Sequence, residues 1–224
     1  MAKVEKQQLP QIVPTVTPGN PEEYERFLKT ARTVSDRVHL DFTDGEFAPS
    51  KTISLAQSYW DESLQVDLHL MLKNPELEFE HTISLKPQLV IVHAEAAGFN
   101  QFFTQALEHY PNVGIKLGVA LLPETDPKSI ADMLKKADHA LVFTGKLGFY
   151  SGEFLADNLN KISVLRQINP NLEIAVDGGV NGKNVATVVR AGADVLNVGS
   201  YIQKAHDAKE AYATLKQAVE KAVS

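Results

Sequence analysis

Two imidazoles and two carboxylates stand in contexts from which they could share one cation. His39 and Asp41 occur in Val38-His39-Leu40-Asp41-Phe42-Thr43-Asp44-Gly45, His69 in Asp67-Leu68-His69-Leu70-Met71, and Asp177 in Val176-Asp177-Gly178-Gly179. The first two stretches read as strands, and side chains alternate across a strand. His39, Asp41 and Thr43 therefore share one face, as do Asp67, His69 and Met71. Ionisable groups turned into an apolar interior are costly unless they bind one another or a metal. Each has a plainer reading alone: a hydrogen-bonded core histidine, or an aspartate that forms a turn before Gly-Gly. Together, at strand ends, they make a donor set suited to one divalent ion, Zn²⁺, Mn²⁺ or Fe²⁺, and a poor one for Cu(I). With no cysteine in the chain, thiolate sites and disulfides are excluded.

The elements that must position this set alternate along the chain. Apolar runs predict strands at Gln11–Val16, Arg37–Phe42, Gln65–Met71, Leu89–Glu95, Val113–Ala120, Ala140–Phe143, Glu173–Val176 and Asp194–Val198. Helical patterns lie between them. Pro21 to Thr33 follows Asn20 as N-cap with Pro at the first position, and Asp126 to Lys136 repeats that device with Pro127. Lys204 to Val223 is a long Ala/Lys/Glu pattern with Ala208, Ala211, Tyr212, Leu215, Ala218 and Val219 on one face. Eight strands alternating with helices predict parallel strands and right-handed crossovers. A doubly wound sheet would carry a Gly-rich fingerprint after its first strand. Val16-Thr17-Pro18-Gly19-Asn20 is not one. No linker or low-complexity stretch divides the chain. The expectation is a single α/β domain over residues 1–224, a (β/α)8 TIM barrel, with its chemistry at the C-terminal ends of the strands.

The 224 residues suit one such barrel, and 44% apolar residues can fill its core. A net charge of −6 argues against a nucleic-acid partner. Met1 to Pro10 has no apolar stretch of signal-peptide type. Apolar runs such as Leu89 to Val92 are far below a membrane span. A soluble cytoplasmic protein without a membrane partner is expected.

Seven collinear segments carry a resemblance to the ribulose-phosphate 3-epimerase family, from about Ile12 to Tyr201. His39-Leu-Asp41-Phe-Thr43-Asp44-Gly45-Glu-Phe47-Ala-Pro49 resembles its His-x-Asp-x-Met-Asp-Gly-x-Phe-Val-Pro signature. Asp67-Leu-His69-Leu-Met71 is similar to Asp-Val-His-Leu-Met, and Val92-His93-Ala-Glu95-Ala96 to its His-x-Glu segment. Gly118-Val-Ala-Leu-Leu-Pro123, Val176-Asp177-Gly178-Gly179-Val180-Asn181, Ala191-Gly192-Ala193-Asp194 and Gly199-Ser200 continue the match. The resemblance implies that His39, Asp41, His69 and Asp177 bind one divalent metal, and that Asp41 and Asp177 are also the acid/base pair. It implies epimerisation at C3 of a ketose phosphate, from D-ribulose 5-phosphate to D-xylulose 5-phosphate in the pentose phosphate pathway. Thr15, His69, Met71, Gly148, Ser151, Gly152, Gly178, Gly179, Gly199 and Ser200 would meet the sugar phosphate. Family members are commonly oligomeric, which implies a homo-oligomer.

That chemistry needs a base and an acid on opposite faces of a planar enediolate. A metal bound to the ketose oxygens stabilises the oxyanion. The phosphate is expected at the loops after the seventh and eighth strands, where Gly178-Gly179 and Gly199-Ser200 offer unobstructed amides. The plainer reading of these glycines is turn formation.

Departures cluster at the substrate. Thr15 stands for the family's Ser, Thr43 and Phe143 for two methionines, and Leu122 for an Asn. Leu147-Gly148-Phe149-Tyr150-Ser151-Gly152 replaces Pro-Gly-Phe-Gly-Gly-Gln. A 3-epimerase of another ketose phosphate, or a non-catalytic sugar-phosphate-binding relative, are the competing readings. Intact Asp41 and Asp177 argue against the latter, since binding alone needs no base on each face. His93 and Glu95 read either as supports of the site or as a satisfied polar layer. His81, His109, His139 and His206 are expected to be solvated. Lys116 would suit a Schiff-base enzyme, which the metal set disfavours.

Overall fold

The computed structural model describes residues 9–145, 147 and 154–224. Its strands are β1 (Gln11–Val16), β2 (Arg37–Thr43), β3 (Gln65–Met71), β4 (Leu89–His93), β5 (Lys116–Leu121), β6 (His139–Phe143), β7 (Glu173–Asp177) and β8 (Val195–Val198). Each pairs in parallel with the next, and β8 pairs with β1, which closes the barrel. The helices are α1 (Pro21–Arg32), α2 (Phe79–Leu85), α3 (Phe99–Val113), α4 (Ala131–Leu134), α5 (Asn160–Ile168), α6 (Val185–Arg190), α7 (Ser200–Gln203) and α8 (Ala208–Val223). The (β/α)8 expectation holds. Among the described residues no helix is long and apolar enough to cross a membrane.

Strand alternation sorts the core into two compartments. Residues such as Ile12, Val38, Leu40, Leu68, Val90 and Ile174 pack outward against the helices. Val13, Leu89, Ile91, Leu141, Ala175 and Val195 fill a smaller inner cluster. Both are apolar because a parallel barrel buries both faces of its strands.

The helix ends follow their capping signals. Asn20 accepts from the Glu23 amide at 2.9 Å, with Pro21 opening α1. Strand β4 ends at His93 rather than Glu95, and three larger departures occur. Val113 belongs to the last turn of α3, because the helix runs on to Gly114, whose φ of +75° provides the left-handed stop; β5 starts only at Lys116. The Asp126–Lys136 segment splits into a 3₁₀ turn over Pro127–Ile130 and the short α4. The last helix begins at Ala208, where Asp207 accepts from the amides of Lys209 and Glu210, and α7 precedes it as a separate turn.

One expectation for the histidines is overturned. His139 is buried at the start of β6, not solvated, and its Nδ1 lies 2.9 Å from Glu173 Oε2. It belongs to a charged layer at the N-terminal end of the barrel. There Arg37 donates to Asp67 at 2.8 Å, to both oxygens of Glu173 at 2.9 and 2.8 Å, and to Gln11 at 3.1 Å. Burial alone would raise the Glu173 carboxyl. The bonds from Arg37 and His139 outweigh it and hold the group well below the usual range.

Candidate active site

The opposite end of the interior is built by the last residues of the strands. The β2–β3 register sets Asp41 beside His69 and Thr43 beside Met71, and the β6–β7 register sets Phe143 beside Asp177. Asp41 Oδ1 lies 2.9 Å from His69 Nδ1 and 3.2 Å from His39 Nε2. Asp177 Oδ2 lies 3.6 Å from His39 Nε2 and 3.9 Å from His69 Nδ1. All four side chains are buried, and one donor atom from each falls within 4.8 Å of the others. The set expected from the sequence is thus brought together.

Its electrostatics are unbalanced. Burial and the negative charge of Asp41 push the Asp177 carboxyl up to about 6. Burial acts on Asp41 too, but its contacts with His39 and His69 hold it well below the usual carboxylate range. His39 is raised, because Asp41 and Asp177 outweigh its burial. His39 Nε2 is buried, faces both carboxylates and makes no hydrogen bond. An unpartnered imidazole nitrogen between two carboxylates, beside a second imidazole, fits a divalent cation of intermediate softness. These four residues can hold one.

Supporting contacts fix the donors. His69 Nε2 lies 3.0 Å from His93 Nε2, and His93 Nδ1 lies 3.3 Å from Glu95 Oε2. The Leu122 amide donates to Glu95 Oε1 at 3.0 Å, and the Thr125 hydroxyl donates to the same oxygen. Burial pushes His93 down to about 4, so the ring is neutral near pH 7. A neutral His93 that donates from Nδ1 to Glu95 accepts at Nε2 from His69. A His69 that offers its Nδ1 lone pair to a cation carries its proton on Nε2, where His93 Nε2 can accept it. Of the two readings of His93 and Glu95, support of the site is the one the geometry favours.

A pocket opens above the four. Thr15, Met71, Gly178, Gly179, Gly199 and Ser200 line it, as expected, and so do the departures Thr43 and Phe143. Gly178 has a structural reason of its own. Its φ is +102°, and a Cβ there would come within 2.3 Å of the Gly145 nitrogen. Gly199 caps the short helix α7 after β8. Gly148, Tyr150, Ser151 and Gly152 lie outside the described residues. Lys116 is exposed at the first residue of β5, the strand end away from the pocket, so it is not placed for Schiff-base chemistry there.

Two lining residues were missed. Thr17 donates from its hydroxyl to Asp41 Oδ2 at 2.7 Å. Asn197 Nδ2 lies 3.2 Å from His39 Nδ1. The available signals were modest: Thr17 follows Thr15 by two along the strand direction, and Asn197 is a polar residue within Val195–Val198.

The comparisons with known proteins point to one family. The Ribulose-phosphate 3 epimerase family matches residues 11–203. A ribulose-phosphate 3-epimerase of Aquifex aeolicus is 33% identical over 207 residues, 89% of this chain and 92% of its own. One from Schizosaccharomyces pombe is 29% identical over 221 residues, 94% of each chain. Among solved structures, 3-hexulose-6-phosphate synthase from Salmonella typhimurium superposes with a TM-score of 0.72 at 17% identity. It covers 94% of this chain and 99% of that one, a likeness of fold. The chain belongs to the ribulose-phosphate 3-epimerase family, and it is an isomerase of that family.

Proposed function

We propose that this protein epimerises a ketose phosphate at C3, interconverting D-ribulose 5-phosphate and D-xylulose 5-phosphate, with a divalent ion held by His39, Asp41, His69 and Asp177. The observation that carries the reading is the pair Asp41 and Asp177. They come from β2 and β7, line one pocket, and differ in their hold on a proton. One carboxylate then removes the C3 proton, and the other returns a proton to the opposite face. A bound divalent ion would supply Lewis-acid stabilisation of the oxyanion.

The remaining residues position the substrate. The Thr15 hydroxyl is buried without a partner and is available to a sugar oxygen. Met71 and Phe143 wall the reacting face and exclude water from it. The phosphate is assigned to the amides near Gly178, Gly179, Gly199 and Ser200, beside the start of a short extra helix, a common phosphate position in these barrels. A second reading, another ketose phosphate, is favoured by Thr43 and Phe143 in the pocket wall where the family signature has methionine.

The test is a panel of ketose phosphates assayed with metal-reconstituted protein. Ribulose 5-phosphate should turn over fastest. Faster conversion of a different ketose phosphate would select the second reading. Absence of turnover with every member would contradict the enzymatic reading.

A further inference from the structure

His39 can offer Nε2 to a cation only if its own proton is on Nδ1. What faces Nδ1 therefore decides whether this side chain can act as a ligand. That neighbour is Asn197 of β8, which is 1% exposed, with its Nδ2 3.2 Å from Nδ1. In this orientation the carboxamide donates, Nδ1 accepts, and the imidazole proton is on Nε2, 3.2 Å from Asp41 Oδ1. The proton then occupies the position a cation would take. Asn197 Oδ1, meanwhile, is buried with no partner.

A half-turn of the carboxamide exchanges its oxygen and nitrogen in nearly the same volume. Oδ1 would then accept from Nδ1–H, leaving the Nε2 lone pair free toward Asp41 and Asp177. Few side chains can serve both states. A leucine offers neither donor nor acceptor, and an ionised carboxylate offers only the acceptor.

We propose that Asn197 is a positioning residue that sets the tautomer of His39. It donates to Nδ1 in the orientation seen here and, turned over, accepts from Nδ1–H, the arrangement in which Nε2 can be a ligand. The proposal rests on the metal reading above and concerns how the fourth ligand is prepared. Its counterpart on the other imidazole is His93, whose Nε2 lies 3.0 Å from His69 Nε2 and can accept the proton that a ligating His69 carries there. The two imidazoles are thus held differently, one by a fixed acceptor and one by a reversible amide.

The test titrates metal-free protein with Zn²⁺ against a chromogenic chelator. Four forms are compared: the natural protein, Asn197→Leu, Asn197→Asp and His69→Ala. Asn197→Leu should lose about 10- to 100-fold in Zn²⁺ affinity, the usual effect of removing the partner of a metal-bound histidine. Asn197→Asp should recover most of that loss, since it keeps the acceptor. Nitrogen-15 shifts of His39 in the natural protein should place its proton on Nε2 without metal and on Nδ1 with Zn²⁺. Unchanged affinity in Asn197→Leu, with binding lost in His69→Ala, would overturn the role of Asn197 and leave the metal reading standing. Failure of the natural protein to bind Zn²⁺ at all would overturn both. If Asn197→Leu does not fold, the nitrogen shifts decide: a proton still on Nε2 in the Zn²⁺-loaded protein refutes the proposal.

Discussion

The two ends of the barrel interior contain similar ionisable side chains and treat them in opposite ways. At the N-terminal end, Arg37 binds Asp67 and both oxygens of Glu173, and His139 adds a contact to the same glutamate. A permanent cation is part of the chain there, and Glu173 is held ionised. At the C-terminal end, the ionisable partners of Asp41 and Asp177 among the described residues are His39 and His69. No lysine or arginine enters their ion pairs among the described residues. Asp177 answers by being pushed up to about 6. The lower layer carries its own cation, although burial still raises the Asp67 carboxyl above its usual range. Among the described residues the upper layer pairs its carboxylates with no lysine or arginine, and that difference distinguishes a site from a plug.

Breaking the lower layer should have the largest effect. Arg37→Leu leaves Asp67 and Glu173 without their cation in a buried setting. Loss of one partner from such a pair costs about 3–5 kcal/mol. Urea unfolding should show that loss, while turnover per folded molecule stays close to normal because the pocket is at the other end. A loss of turnover without a loss of stability would mean that the two layers are not separable in this way.

The comparison is sharpened by a smaller change above. His93→Leu removes the acceptor of His69 and should weaken metal binding by about 10- to 100-fold, read by chelator competition. The same variant tests a pH effect in metal-free protein. Burial holds His93 near 4, against about 6.5 in an unfolded chain. Between those values the unfolded chain binds the extra proton. Stability is therefore full above about 6.5 and falls as pH drops toward 4. His93→Leu should show a shallower acid loss, and an unchanged slope would mean that His93 is not held neutral by the fold.

The barrel and the four clustered residues were legible because both are written locally. Period-two alternation sets His39 with Asp41 and Asp67 with His69, and capping residues such as Asn20 mark where helices begin. What escaped depends on register between distant strands. Asn197 meets His39 across 158 positions of sequence, through a closure in which β1 pairs with both β2 and β8. Nothing near Asn197 announces that neighbour. His139 was misread for the same reason: it follows the polar run Lys135-Lys136-Ala137-Asp138, and its partner Glu173 arrives from β7. Boundaries failed where a backbone device overrode pattern, as at Gly114, which lets α3 run through Val113.

The central claim is that Asp41 and Asp177 handle protons on opposite faces of one carbon. The direct measurement is incorporation of solvent deuterium at C3 of ribulose 5-phosphate by metal-loaded protein, followed beside net conversion, with Asp41→Asn and Asp177→Asn run in parallel. The natural protein should take up deuterium at C3 as it converts. Each variant should lose at least about 10²-fold in conversion, the low end of general acid–base effects, and one of them can retain exchange from a single epimer. Full conversion by both variants would contradict the account.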